Sequence, residues 1–102
     1  MTILTDHRLV KTIRPVSPES LAGDKITPES SLFGLIWINP QRVSGEPCFY
    51  GTRVPLACLF DTLAGGETLE QFLDDFEGVT REQAEAVLQL ARTHLLDDLP
   101  RA

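Results

Sequence analysis

The sequence predicts a mainly α fold, in which three short helices form one cluster behind a short β-hairpin or β-strand element. Three observations predict it. Apolar residues between positions 56 and 95 recur at helical spacing in three separate runs. Each run is bounded by residues that start and stop helices. The stretch before them, Leu32 to Tyr50, combines strand-forming apolar residues with the Pro and Gly of turns.

The chain has 102 residues, 42% of them hydrophobic, which suits one small domain. Residues 1–34 read as an N-terminal extension, either a β-arm or partly disordered, and residues 35–102 as the domain. In the extension, Leu9, Val10 and Ile13 lie among Arg8, Lys11 and Arg14, a pattern that suits an exposed strand. The Pro15–Ser20 and Thr27–Ser31 tracts read as turns.

Leu32 to Ile38 reads as a first strand, stopped at Asn39-Pro40 because a residue before proline avoids helical angles. Gly45 and Pro47 then turn the chain, and Cys48-Phe49-Tyr50 reads as a second strand ending at Gly51. Such a hairpin is marginal alone and needs the helices beneath it.

The first helix opens at Pro55, whose missing N–H costs nothing in a first turn. It presents Leu56, Leu59, Phe60 and Leu63 on one face and ends at Gly65-Gly66. The second opens at Thr68, with Gln71 at the spacing of a capping box. Its face is Leu69, Phe72, Leu73 and Phe76, and Gly78 breaks it. The third opens at Thr80 with Gln83 as a second capping box, runs to about Asp98, and faces the core with Ala84, Val87, Leu88, Ala91 and Leu95. Three amphipathic helices of this length must pack on one another to bury their stripes. Glu77-Gly78-Val79, between the second and third, has the length and glycine of a helix-turn-helix link.

The formal net charge is −6, which argues against a general nucleic-acid binder. Residues 1–54 carry six basic and five acidic side chains, whereas residues 55–102 carry three basic and ten acidic, so the acidity belongs to the helical half. Cys48 and Cys58 have no second pair of ligands for a metal site, and are read as reduced thiols of a cytoplasmic protein. No apolar run reaches the ~20 residues of a membrane helix. No cofactor or metal is expected.

Ile38-Asn39-Pro40, Gly45-Glu46-Pro47 and Gly51-Thr52-Arg53-Val54-Pro55 together resemble the DUF433 family, whose members carry an I-x-P … G-G-K-P-x-I-x-G-T-R-I-P-V segment. The resemblance continues through Leu63 to Gly66, Leu69 to Phe76 and Val79 to Ala84, covering about residues 35–96. Three positions depart from the pattern. Glu46 stands where the family usually has Lys, Ser44 where Gly is common, and Leu56 where Val is frequent. The first reverses a charge and argues against anion binding by that loop; the other two read as neutral.

The resemblance implies a homeodomain-like helix-turn-helix bundle with a short N-terminal β element. It also implies the antitoxin of a bacterial type II toxin–antitoxin system, which neutralises a PIN-like nuclease toxin and regulates its own operon. The protein would then be a binding module and not an enzyme, with a homodimer and operator DNA as further partners and no membrane association. The alternative is a helix-turn-helix transcriptional regulator with no toxin partner.

Gly51 is expected to take angles that a side chain would forbid, with Thr52 and Arg53 bracing the hairpin to the first helix. The other reading gives Arg53 a partner carboxylate or phosphate. Arg81 and Gln83 occupy the first turn of the third helix, where a DNA-reading helix contacts base edges. Glu82, Glu85, Asp74, Asp75 and Glu77 surround them and favour a solvated face. If DNA binds, Arg8, Lys11 and Arg14 are the expected phosphate contacts. Asp74, Asp75 and Glu77 point different ways and read as surface. His7 and His94 have no nucleophile at a catalytic spacing. Trp37 and Tyr50 are expected to pair across the hairpin. Leu90, Leu96 and Leu99 lie off the third helix's apolar stripe beside Asp97 and Asp98, and together are the expected toxin-binding or dimer face.

Overall fold

The computed structural model describes residues 8–100, so His7 lies outside the described residues. Two β-strands, β1 (Ile36–Trp37) and β2 (Cys48–Phe49), precede three helices, α1 (Leu56–Ala64), α2 (Leu69–Asp75) and α3 (Arg81–Asp98). Short 3-10 turns at Pro18–Leu21 and Val43–Gly45 complete the elements.

The strands pair antiparallel, with Ile36 opposite Phe49 and Trp37 opposite Cys48. Because side chains alternate across a strand, the two pairs face opposite ways. Ile36 and Phe49 join the main core, and Trp37 and Cys48 join a smaller cluster with Tyr50. Trp37 and Tyr50 pack there as tilted rings with centroids 5.2 Å apart, and Phe33 closes on Tyr50 at 5.3 Å.

The expected first strand keeps only its second half. Residues before Ile36 wind into a turn, in which Phe33 N donates to Ser30 O and Ile36 N to Leu32 O. The Ser30 hydroxyl accepts from Leu32 N at 3.1 Å. Gly34 has φ +86°, and a Cβ there would meet Ile13 Cγ1 at 2.6 Å. An apolar run of this length has no periodicity that separates a strand from a turn.

Both capping boxes form. The Thr68 hydroxyl accepts from Gln71 N at 3.1 Å while Gln71 Oε1 accepts from Thr68 N at 2.7 Å. The Thr80 hydroxyl accepts from Gln83 N and Gln83 Oε1 from Thr80 N, both at 3.1 Å. Leu59 and Phe72 carry α1 and α2 into the core, each with no exposed surface. Burying each is worth about 1.5–3 kcal/mol. Phe72 lies 6.0 Å from Phe49 and 4.9 Å from Phe76. Phe60, expected on the core face of α1, is 39% exposed, because it sits about 100° round the helix from Leu59.

Residues 8–34 lie against the rest of the chain and share its core. Val10 is 1% exposed within the main cluster. Leu9 N donates to Ser31 O, Lys25 N to Ile38 O, and Lys11 N to Glu82 Oε2. The buried Asn39 amide donates to Ala22 O at 2.7 Å and to Asp24 Oδ1 at 2.9 Å.

Candidate functional site

The loop between β2 and α1 is built from inside. Gly51 has φ +82°, and its carbonyl accepts from Arg14 Nη1 at 3.2 Å. Thr52 is buried, its hydroxyl donating to Phe49 O at 2.8 Å and accepting from Val54 N at 3.0 Å. The Trp37 indole donates to Thr52 O at 2.7 Å. Pro47 O accepts from Leu56 N at 2.9 Å, tying the hairpin to the first turn of α1. Gly45 N donates to Arg42 O and closes the preceding turn. Arg53 departs from this pattern. It is exposed and, among the described residues, has no hydrogen-bond or ion-pair partner.

Of the residues expected to meet DNA, Gln83, Arg81, Arg14 and Arg8 have other engagements, while Lys11 is exposed and only its backbone N–H is bonded, to Glu82. Gln83 is 5% exposed: its Oε1 caps α3 and its Nε2 donates to Tyr50 O at 3.0 Å. That removes it from the surface set. Arg81 pairs with Glu70 at 2.7 Å and Glu85 at 3.7 Å. The Glu70 carboxyl is held below its ordinary range by the hydrogen bond from Arg81. Arg14 bridges Gly51 O and, at 2.7 Å, Gly78 O, fastening the loop to the link between α2 and α3. Gly78 is close enough to Thr52 that a Cβ would meet its methyl at 3.2 Å. Arg8 stands over the Phe33 ring at 5.6 Å. Residues 9–14 therefore cross the N-terminal turn of α3, the part a DNA-reading helix presents to the groove.

The leucine set divides. Leu90 is half-buried against the core, in a groove shared with Leu9 and Ala86. Leu96 and Leu99 are 49% and 50% exposed, and the flanking Asp97 and Asp98 are exposed as well. Leu90 and Leu99 are nine residues apart, which at about 100° each puts them on opposite sides of α3. Leu95, expected in the core, joins the exposed set at 60%. The cause is length: α3 has its last buried residue at Val87, and residues 92–100 are all exposed. The two final turns carry Leu95, Leu96 and Leu99 into solvent, with His94 Nε2 3.3 Å from Asp98 beside them.

A second feature was invisible in the sequence. Asp24 and Arg42 form a buried ion pair at 3.0 Å, and the Arg42 guanidinium lies 3.5 Å over the Trp37 ring. No motif spacing links these positions. They meet because residues 18–25 fold back onto the Asn39–Gly45 turn. That turn is strained, with Val43 at φ +48° and Ser44 at φ +53°. Beside it, burial pushes the Cys48 thiol up while Arg42 and Arg53 pull it down. Cys48 and Cys58 are both free thiols. Among the described residues, no group of three or more His, Cys, Asp or Glu is placed to hold a metal, and no helix is long and apolar enough to cross a membrane.

A family model described as a protein of unknown function, DUF433, matches residues 36–91, more than half of the chain. Comparisons with curated proteins and with solved structures gave no match. The matched span begins with β1 and ends where α3 leaves the core.

Proposed function

The chain belongs to the DUF433 family, and from that premise we propose that it is a protein-binding antitoxin, which docks the free end of α3 into a PIN-like nuclease toxin. The observation that carries this reading is the projecting pair of turns with Leu95, Leu96 and Leu99 at 60%, 49% and 50% exposure. A helix that outlasts its own core and keeps leucines at i, i+1 and i+4 suits the helix-in-groove mode of recognition. Asp97 and Asp98 beside them suit a groove with a basic rim. Burying three leucines contributes several kcal/mol at about 1.5–3 kcal/mol each, before the cost of association. The face lies beyond the matched residues 36–91.

Operator binding is the weaker alternative. It loses Gln83 to the interior and Arg81 to Glu70, and residues 9–14 cover the first turn of α3.

The test is co-expression with the product of the neighbouring gene. A stable complex, with relief of any growth arrest, is the expected result. Leu95→Asp with Leu99→Asp abolishes the complex while leaving the melting temperature of the free protein unchanged. A neighbour unrelated to nucleases that forms no complex overturns the proposal, as does a complex indifferent to the two substitutions.

A further inference from the structure

Between the Pro18–Leu21 turn and the Gly51-Thr52-Arg53 loop lies a cavity of about 470 Å³. Trp37, Asn39, Arg42, Thr52 and Arg53 line it, with Glu19 at its exposed lip. We propose that this cavity is a binding site for a phosphate group, held between the guanidinium groups of Arg42 and Arg53.

Three observations carry this. Arg42 is fixed in place, stacked on Trp37 at 3.5 Å, paired with Asp24 at 3.0 Å, and donating to Ser20 O. The ion pair and the bond to Ser20 both use Nη2, while the buried Nη1 has no acceptor and the buried Asp24 Oδ2 no donor. A buried guanidinium donor without an acceptor is a position that an oxyanion satisfies. Arg53 shares the cavity wall and, among the described residues, has neither hydrogen bond nor ion pair.

The charge balance inside the cavity favours an anion although the chain is acidic overall. Asp24 pairs with Arg42 through Oδ1 and does not line the cavity, and Glu19 is exposed at its lip. Arg53 is left as the uncompensated charge of the wall. Glu46, whose sign argued against anion binding by this loop, does not line the cavity.

Two guanidinium groups on separate segments fit a tetrahedral group better than a carboxylate. One bidentate arginine saturates the two oxygens of a carboxylate, whereas a phosphate keeps oxygens for a second. The volume exceeds that of the phosphate alone and leaves room for what bears it. Thr52 and Asn39 keep their own bonds to the backbone, so their part is to shape the cavity.

The test is a titration of the isotope-labelled full chain with inorganic phosphate, at constant pH and ionic strength, with chloride as the control. Trp37 is the single tryptophan, so its indole N–H resonance reports from the cavity floor. The expected result is a saturable shift of that resonance and of the arginine Nε–H resonances, with a Kd in the millimolar range. Arg53→Gln weakens binding at least about tenfold, and Arg53→Lys restores part of it. Arg53 has no bond to the fold, so these variants remain folded, whereas Arg42→Gln strands Asp24 and is not relied upon.

A short single-stranded oligodeoxynucleotide supplies the second arm. Displacement of phosphate by the oligonucleotide assigns the site to a phosphodiester; binding of inorganic phosphate alone assigns it to a free or terminal phosphate. Shifts that are linear in phosphate and equal to those with chloride overturn the proposal. So does an Arg53→Gln variant that binds like the parent. Neither result bears on the α3 leucines, so this site and the docking face stand or fall separately.

Discussion

Replacing Gln83 by alanine removes two bonds of different kinds, and their magnitudes separate. Gln83 Oε1 caps Thr80 N, and losing a cap costs typically about 1 kcal/mol. Gln83 Nε2 donates to Tyr50 O in the interior, and a buried carbonyl left without a donor costs about 1–3 kcal/mol. Gln83→Ala is therefore expected to lose about 2–4 kcal/mol. Gln71 occupies the same box position in α2, but its bonds are exposed and go only to Thr68. Gln71→Ala is the internal control, with an expected loss of about 1 kcal/mol. Gln83→Glu keeps the acceptor for Thr80 but sets an oxyanion against the Tyr50 carbonyl, so it falls with the alanine variant and not with the parent. The assay is urea unfolding followed by circular dichroism for the helices and by the fluorescence of Trp37. In a thermal melt the Gln83→Ala loss corresponds to about 10 °C or more. Equal losses in the Gln71 and Gln83 alanine variants, or a Gln83→Glu variant as stable as the parent, would refute a tertiary role for the Gln83 amide.

Four further expectations follow from single positions. Val10→Ala opens a cavity in the main core and costs about 2 kcal/mol in the same unfolding assay, which a peripheral arm would not. Gly34→Ala combines a φ of +86° with a Cβ 2.6 Å from Ile13 Cγ1, and costs about 1–3 kcal/mol; Ile13→Ala in the same chain removes the clash but not the backbone strain, so the double variant costs less than the two single losses together. Ser44→Gly relieves a φ of +53° and raises stability by about 0.5–1 kcal/mol, net of glycine's entropy in the unfolded chain, seen as a higher urea midpoint. The Glu70–Arg81 pair lowers the Glu70 pKa, so its contribution is present above the unfolded carboxylate pKa and is lost as pH falls through the depressed value; both groups are exposed, and Glu70→Gln leaves the melt at neutral pH within error.

The helices were legible because their signals are local. Thr68 and Gln71, or Thr80 and Gln83, settle a helix start within four residues, and both boxes form as the spacing requires. Thr52 was legible for the same reason, since its hydroxyl acts on Phe49 and Val54 within its own turn, whereas Arg53, expected to brace the loop, makes no hydrogen bond or ion pair among the described residues. What the sequence did not carry was distance. Nothing local says that Val10 reaches the core, that Arg14 spans Gly51 and Gly78, or that Asp24 meets Arg42. Helix position alone points Gln83 outward, but its capping role and its bond to Tyr50 turn the amide inward. Leu95 is exposed although it continues the apolar stripe, because periodicity gives the angle of a face but not how far along the helix the core extends. The identity of Ser44 says nothing of the left-handed turn it occupies.

The same long-range contacts decide how the helix-turn-helix spacing of α2 and α3 is used. Reading DNA with the start of α3 requires lifting residues 9–14 from it. That exposes Val10, which costs about 1.5–3 kcal/mol. It also breaks the two bonds from the Arg14 guanidinium to the Gly51 and Gly78 carbonyls, which contribute about 1.5–3 kcal/mol each. The sum is comparable to the ~4–10 kcal/mol that separates specific from non-specific binding to DNA. Residues 55–102, with ten acidic side chains against three basic, add repulsion from phosphates in place of compensation. The free end of α3 needs no such rearrangement. Its leucines are already in solvent on a helix formed to Asp98, so docking there costs the folded domain little. A partner that buries Leu95 and Leu99 therefore has the lower barrier to binding, and mixing experiments should find its association rate insensitive to Arg14→Ala.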